Sequence, residues 1–136
     1  MVKPIIKDMF FLSQKSQPAA KNDTQVIEDL KDTLKANSDR CIGMAANMIG
    51  VKKRVIIVNV GFINIIMINP TIIKKSMPYE TEEGCISLEV VRKTTRYKQI
   101  EVDFQDISFK RQRKTFSDLT AQIIQHEIDH INGIVI

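Results

Sequence analysis

Apolar residues recur at helical spacing in two stretches of the chain, near residues 22–36 and 118–132. In the first stretch the repeat is carried by Val26, Ile27, Leu30 and Leu34. Positions three and four residues apart lie on one face of a helix, so each stretch predicts an amphipathic helix. Asp23 and Ser117 stand where helix-capping residues are preferred, and Gly133 stands where a helix commonly ends.

Stretches that are rich in Val and Ile, or that alternate in polarity, predict strands over 54–60, 64–69, 71–75, 98–104 and 107–114. The alternation is clearest where Ile100, Val102 and Phe104 share one face. Residues 2–12 predict an extended arm or a short strand, and residues 77–83 predict a polar loop. The pattern predicts an α+β fold in which antiparallel strands pack around a central C-terminal helix.

Composition narrows the class of protein. A length of 136 residues with 43% hydrophobic residues predicts a single domain over residues 1–136 with a buried core. The 2 cysteines show no disulfide-rich spacing, and we find no leader and no apolar run of membrane-spanning length, which favours the cytoplasm. The net charge is +4, and the basic run at 110–114 predicts a charged turn between a strand and a helix. Nucleic-acid binding by this run is the weaker alternative.

The strongest chemical signal lies in the second predicted helix, where His126 and His130 are four residues apart. This spacing puts both rings on one face, one turn apart, so that they can bind a single metal ion. Glu127 stands next to the first histidine, where a carboxylate can take a proton from a metal-activated water molecule. The chain has 2 histidines and both belong to this pattern, which predicts a metal-dependent hydrolase.

The third metal ligand is expected upstream, because none of the six residues after His130 carries a ligating side chain. This disfavours the zinc endoproteases, in which a His-Glu-x-x-His helix is completed by a later ligand. A thiolate suits such a metal, and the chain offers Cys41 and Cys85. We favour Cys85, which follows the flexible Gly84, with ordinary core packing as its alternative role.

Three stretches resemble the signature motifs of the peptide deformylases. Residues 83–87 (EGCIS) resemble the family's EGCLS, and residues 125–130 (QHEIDH) resemble QHExDH. The glycine-bounded loop at 41–50 (CIGMAANMIG) resembles GxGxAAxQ. The sequence RYKQIEV at 96–102 is similar to the family's strand between the last two motifs. The motifs stand in the family's order, and the resemblance spans nearly the whole chain.

The resemblance implies an enzyme that removes the formyl group from the N-terminal formyl-methionine of new bacterial proteins. It implies one divalent metal ion, iron(II) with zinc or nickel as replacements, bound by Cys85, His126 and His130. Glu127 would be the general acid and base, and the backbone N–H of Ile86 would help to hold the oxyanion. The expected partner is an N-formyl-methionyl peptide near the ribosome, without direct contact to nucleic acid or membrane.

An apolar slot for the methionine side chain is predicted beside the metal-binding helix. Ile123 and Leu119 precede His126 by three and seven residues, so they share its face. Ile42 and Gly43 of the first motif are predicted to complete the slot. Ordinary core packing is the alternative role for these residues.

The first motif departs from the family's pattern at Cys41, Asn47 and Met48, where the pattern has glycine, proline and glutamine. The glutamine donates a hydrogen bond to the oxyanion, whereas methionine has no N–H to donate. Losing one such donor typically costs about 10²–10³ in rate. The alternative function is a catalytically impaired metal-binding homologue that binds N-terminal peptides or acts on another N-acyl substrate. Cys41 suggests two further hypotheses, a fourth metal ligand and a disulfide with Cys85.

Overall fold

The computed structural model describes residues 1–39, 41–61, 63–85 and 88–134, without the side chains of residues 85 and 88–90. The helices in these ranges are α1 (Met9–Leu12), α2 (Thr24–Ala36) and α3 (Asp118–Ile131). The strands are β1 (Gly43–Ala45), β2 (Val55–Asn59), β3 (Asn64–Cys85), β4 (Leu88–Gln105) and β5 (Arg111–Ser117). Short 3-10 turns occupy Lys21–Asp23 and Ala46–Ile49.

The five strands form one antiparallel sheet in the order β1-β2-β3-β4-β5. α3 packs against β1, β2 and β4, and the core lies between the helix and the sheet. Ile56, Met67, Ile100 and Ile124 are fully or almost fully buried there. The predicted α+β fold, with antiparallel strands packed around the C-terminal helix, is thereby confirmed. None of the described helices is long and apolar enough to cross a membrane.

Both predicted helices are present, and only their capping differs from expectation. Asp23 and Ser117 occupy the positions just before α2 and α3, but neither side chain caps its helix. The Asp23 carboxylate instead accepts a hydrogen bond from the backbone N–H of Ala20, at 2.8 Å. Gly133 ends α3 with a φ of +78°, and a Cβ there would lie 2.6 Å from the carbonyl oxygen of Ser13. Glycine is therefore required by both the backbone conformation and the close approach.

The prediction of a polar loop over 77–83 is wrong, because these residues continue β3 and pair with β4. The strands predicted at 64–69 and 71–75 are likewise parts of the single strand β3, which runs through Pro70. Most side chains of β3 between residues 71 and 82 are exposed, so no apolar alternation marks this part of the strand. Pairing with β4 instead satisfies the backbone hydrogen-bonding groups of this segment. A local sequence pattern does not reveal such a pairing partner.

Two other local predictions are wrong in part. Of the strand predicted over 107–114, only Arg111–Lys114 belongs to β5, so most of the basic run lies in a strand rather than in a charged turn. The extended arm or short strand predicted over residues 2–12 is wrong for its last part, because Met9–Leu12 forms a helical turn. The Asp8 carboxylate accepts the backbone N–H of Phe10 at 2.9 Å, which favours the helical turn over an extended chain.

Candidate metal centre

α3 brings the two histidines and the glutamate of the motif together in the interior. His126, Glu127 and His130 are buried, and one ligand atom from each lies within 4.8 Å of the others. The Nε2 atoms of His126 and His130 face each other at 3.1 Å. This convergence follows from the four-residue spacing, because one helical turn separates the two side chains.

A buried charged network holds the first histidine in position. Nδ1 of His126 lies 2.8 Å from Oε1 of Glu83, and Arg96 donates to both carboxylate oxygens of Glu83 at 2.7–3.1 Å. The other end of Arg96 donates to Asp129 at 2.6 Å, and the Gln122 amide donates to Glu83 at 2.9 Å. Burial alone would raise the pKa of the Glu83 carboxyl, but these hydrogen bonds outweigh it and lower the pKa to about 2. Glu83 is therefore an anion that accepts a hydrogen bond from the imidazole Nδ1–H of His126.

Glu127 has the opposite electrostatic environment. Burial raises the pKa of its carboxyl to about 7, and within the described part of the chain its Oε1 has no hydrogen-bond partner. Gly43 lies against this side chain, because a Cβ at Gly43 would be 3.0 Å from Oε2 of Glu127 and 2.7 Å from Cγ2 of Ile123. The glycine of the first motif is thus needed for close packing against the carboxylate.

The second histidine is an electrically neutral ligand candidate. His130 is fully buried, and burial lowers the pKa of its ring to about 3. A neutral imidazole keeps a lone pair on one ring nitrogen, which is the form that binds a metal ion. The ring is therefore in the binding form across the physiological pH range.

The first-motif loop (residues 41–50) faces α3 across a cleft of about 190 Å³. All four residues predicted for the methionine slot line this cleft, namely Ile42, Gly43, Leu119 and Ile123. The cleft also reaches His126 and Glu127 at its inner end. Leu119 is 60% exposed and Ile123 only 8%, so the apolar wall runs from the surface to the buried carboxylate.

The altered positions of the first motif are also found at this cleft. Met48 lines it, and its sulfur accepts a hydrogen bond from the backbone N–H of Ala45 at 3.3 Å. Cys41 lines it as well, with its thiol donating to the carbonyl oxygen of Gly43 at 2.7 Å. Among the described side chains, Cys41 does not belong to the group of converging ligand atoms.

Two predicted site residues are described only in part or not at all. Cys85 is the last residue of β3, but its side chain lies outside the described atoms. Ile86, predicted as an oxyanion donor, lies outside the described residues. The hypothesis of a disulfide between Cys41 and Cys85 therefore stays a prediction.

No role was predicted from the sequence for Glu83, Arg96 or Gln122, which form the charged network beside α3. Glu83 stood inside a recognised motif, and that was its only signal. Arg96 is 3% exposed although arginine is rarely buried without partners, and its partners are 13 and 33 residues away in the chain. Such long-range pairs follow from the packing of β3, β4 and α3.

Comparison with known proteins gives consistent findings. A family model described as Polypeptide deformylase matches residues 3–136. A peptide deformylase of Clostridium beijerinckii is 57% identical over 136 residues, which cover 100% of both chains. One of Synechocystis sp. is 36% identical over 132 residues, which cover 91% of this chain and 71% of that protein.

Solved structures of the same kind share the fold over the chain. The Met-Ala-Ser-bound class I type b peptide deformylase of Acinetobacter baumannii has a TM-score of 0.90 at 26% identity, covering 99% of this chain and 97% of that one. The crystal structure of a peptide deformylase from Thermotoga maritima also has a TM-score of 0.90 at 26% identity, covering 99% and 95%.

Proposed function

The chain belongs to the peptide deformylase family, and from this premise we propose how its own residues remove the formyl group from N-formyl-methionyl peptides. It is a hydrolase of a metal-dependent class. The proposed metal ligands are Cys85, His126 and His130, and the proposed proton carrier is Glu127. The observation that carries the proposal is a facing pair of histidine rings beside a buried carboxylate.

The distance between the two rings fits a shared metal ion. Two nitrogen ligands about 2.0–2.1 Å from one ion, at a roughly tetrahedral angle, are about 3.3 Å apart. The Nε2 atoms of His126 and His130 are 3.1 Å apart, so the rings need little movement to bind one ion. The hydrogen bond of His126 to Glu83 supports this assignment, because metal-binding histidines usually donate their other ring N–H to a carboxylate or carbonyl.

Cys85 is the proposed third ligand. Glu83, two residues earlier, contacts His126 at 2.8 Å, and Gly84 lines the cleft, so β3 carries the backbone of Cys85 toward the histidines. One thiolate with two imidazoles suits a borderline divalent ion. We propose iron(II), with zinc or nickel as replacements, from the resemblance of the motifs.

When bound, the metal ion would act as a Lewis acid and lower the pKa of a water molecule toward about 7. Glu127 takes the proton of the attacking water and delivers it to the amine nitrogen as the C–N bond of the formamide breaks. The water oxygen ends in formate, and the peptide leaves with a free amino group. A carboxyl pKa of about 7 suits both directions of this proton transfer.

The cleft is the proposed site for the formyl-methionyl end of the peptide. Ile42, Leu119 and Ile123 offer apolar surface for the methionine side chain, and a deformylase of Acinetobacter baumannii binds Met-Ala-Ser. Gly43 in β1 and Gly84 in β3 both line the cleft, so the peptide backbone can pair with either strand. Because formyl-methionine begins new bacterial chains, we also propose a cytoplasmic location close to the ribosome.

The test is formate release from formyl-Met-Ala-Ser by protein loaded anaerobically with iron(II), with the metal content measured in the same samples. We expect the wild type to release formate. Glu127→Gln should retain the metal but lose about 10²–10⁴ in kcat, because the proton carrier is gone. A metal-loaded wild type that releases no formate would contradict the proposal.

Met48→Gln tests the altered first motif in the same assay. Glutamine restores an N–H donor beside the cleft, and one such donor is typically worth about 10²–10³ in kcat. We expect kcat to rise by up to that factor with the metal content unchanged. An unchanged kcat would mean that another group already stabilises the oxyanion.

A further inference from the structure

Asn47 joins the first-motif loop to the end of the metal-binding helix. Its side chain is fully buried, and its amide nitrogen donates to the backbone carbonyl of His130 at 2.8 Å. These two residues are 83 positions apart in the chain, and Asn47 stands where the family's pattern has a proline. Proline has no side-chain amide and could not make this contact, so the family's pattern does not include this bond.

At this end of α3, three residues linked by backbone contacts carry buried side-chain atoms that have no hydrogen-bond partner among the described residues. They are Oδ1 of Asn47, Nδ1 of His130 and Oγ of Ser16. Ser16 donates its backbone N–H to the carbonyl of Ile131 at 2.8 Å, next to the carbonyl that Asn47 uses. Buried polar groups are nearly always hydrogen-bonded, and a buried water molecule typically has about three polar partners.

We propose that Asn47 is a positioning residue for His130, acting through one buried water molecule that Asn47, Ser16 and His130 share. The water accepts the Nδ1–H of His130 and donates to Oδ1 of Asn47, and the Ser16 hydroxyl occupies a third position. This arrangement fixes the proton on Nδ1, which leaves the lone pair on Nε2 facing His126. The inference rests on the proposed metal ligation by His130.

The direct test is zinc affinity, measured by competition with a chromophoric chelator. Asn47→Ala should weaken zinc binding by about 10–100-fold, the usual effect of losing a group that orients a metal ligand. Ser16→Ala should weaken it less, and it provides the test if Asn47→Ala does not fold. The double variant should bind zinc no more weakly than Asn47→Ala alone, because both side chains bind the same water.

Thr33→Val is the matched control, since Thr33 is fully buried and its hydroxyl accepts the backbone N–H of Lys3 at 2.9 Å. It removes a partly buried hydrogen bond between the N-terminal segment and α2, and it should lower the melting temperature without changing zinc affinity. Zinc affinities of Asn47→Ala and Ser16→Ala that both stay within about twofold of the wild type would overturn the inference. Additive losses in the double variant would exclude the shared water. A wild type that binds no zinc would instead refute the proposed metal site.

A spectroscopic readout separates positioning from general destabilisation. In nitrogen-15 NMR spectra of the zinc-loaded wild type, His130 should carry its proton on Nδ1 and show slow exchange of that proton with water. Asn47→Ala should make the exchange faster, whereas Thr33→Val should leave it unchanged. Identical exchange in all three proteins would contradict the role of Asn47.

Discussion

α3 and the first-motif loop (residues 41–50) face each other across the cleft, yet different kinds of contact hold them in place. On the α3 side, His126 lies 2.8 Å from Glu83 and Asp129 lies 2.6 Å from Arg96, and Glu83 and Arg96 form a buried ion pair. On the loop side, Gly43 packs closely and the buried polar contacts use neutral groups. Charged hydrogen bonds are roughly twice as strong as neutral ones.

The charged contacts and the neutral contacts therefore have different roles in the same site. The charged network fixes the orientation of His126, and removing a member leaves an uncompensated buried charge. The loop sets the shape of the cleft beside Glu127, and changing it moves groups by fractions of an ångström without unpairing a charge. Substitutions in the charged network should therefore cost mainly stability, and substitutions that change the shape of the cleft should cost mainly rate.

The largest effect is expected from Arg96→Met. The side chain of Arg96 is 4% exposed and pairs with both Glu83 and Asp129, so its loss leaves two carboxylates without their cation. Breaking a buried pair from one side costs about 3–5 kcal/mol in the free energy of unfolding, measurable by urea denaturation. Arg113→Met is the control, because the Arg113 side chain is 62% exposed beside Asp103 and should change stability little. Equal losses in the two variants would contradict the distinction between buried network and surface pair.

Gly43→Ala tests the loop side and is expected to act on rate. The added Cβ would lie 2.7 Å from Ile123 and 3.0 Å from the Glu127 carboxylate, so Glu127 has to move. Misplacing a catalytic group by about 1 Å can cost about 10²-fold in kcat. We expect that loss in formate release with the metal content unchanged.

Gly61→Ala serves as the control for backbone strain. Gly61 has a φ of +98° but no heavy atom within 4 Å of an added Cβ, so alanine there strains the backbone without crowding the cleft. This variant should be less stable than the wild type with the same kcat. If it slowed formate release as much as Gly43→Ala does, crowding of Glu127 would not be the cause.

The smallest effect is expected from Met48→Leu. Leucine keeps a similar volume and removes only the sulfur that accepts the N–H of Ala45 at 3.3 Å. Exchanges of this kind usually cost less than about 1.5 kcal/mol in the free energy of unfolding. We expect kcat to stay within about threefold of the wild type, because neither side chain donates a hydrogen bond. A large fall in kcat would show that the thioether itself takes part in the reaction.

The extent to which the fold was predictable depends on how locally each element is determined. α2 and α3 were predicted because apolar residues at helical spacing mark the buried face directly. The apolar face of Ile100, Val102 and Phe104 in β4 was predicted for the same reason, and all three are buried. The strand at residues 77–83 of β3 was missed, because its geometry depends on pairing with β4 rather than on burial of its own side chains.

The sequence by itself determined that one helix carries two facing histidines with an adjacent carboxylate. A spacing of four residues on a helix puts both side chains on the same face. It also determined the resemblance that gives Cys85 its proposed role. The tertiary structure alone decided the environment of each group, since burial and long-range contacts set a pKa of about 2 at Glu83 and about 7 at Glu127. Two carboxylates of the same intrinsic chemistry thus differ because Glu83 accepts hydrogen bonds from His126, Arg96 and Gln122, whereas Glu127 is desolvated beside the close-packed glycine of a distant loop.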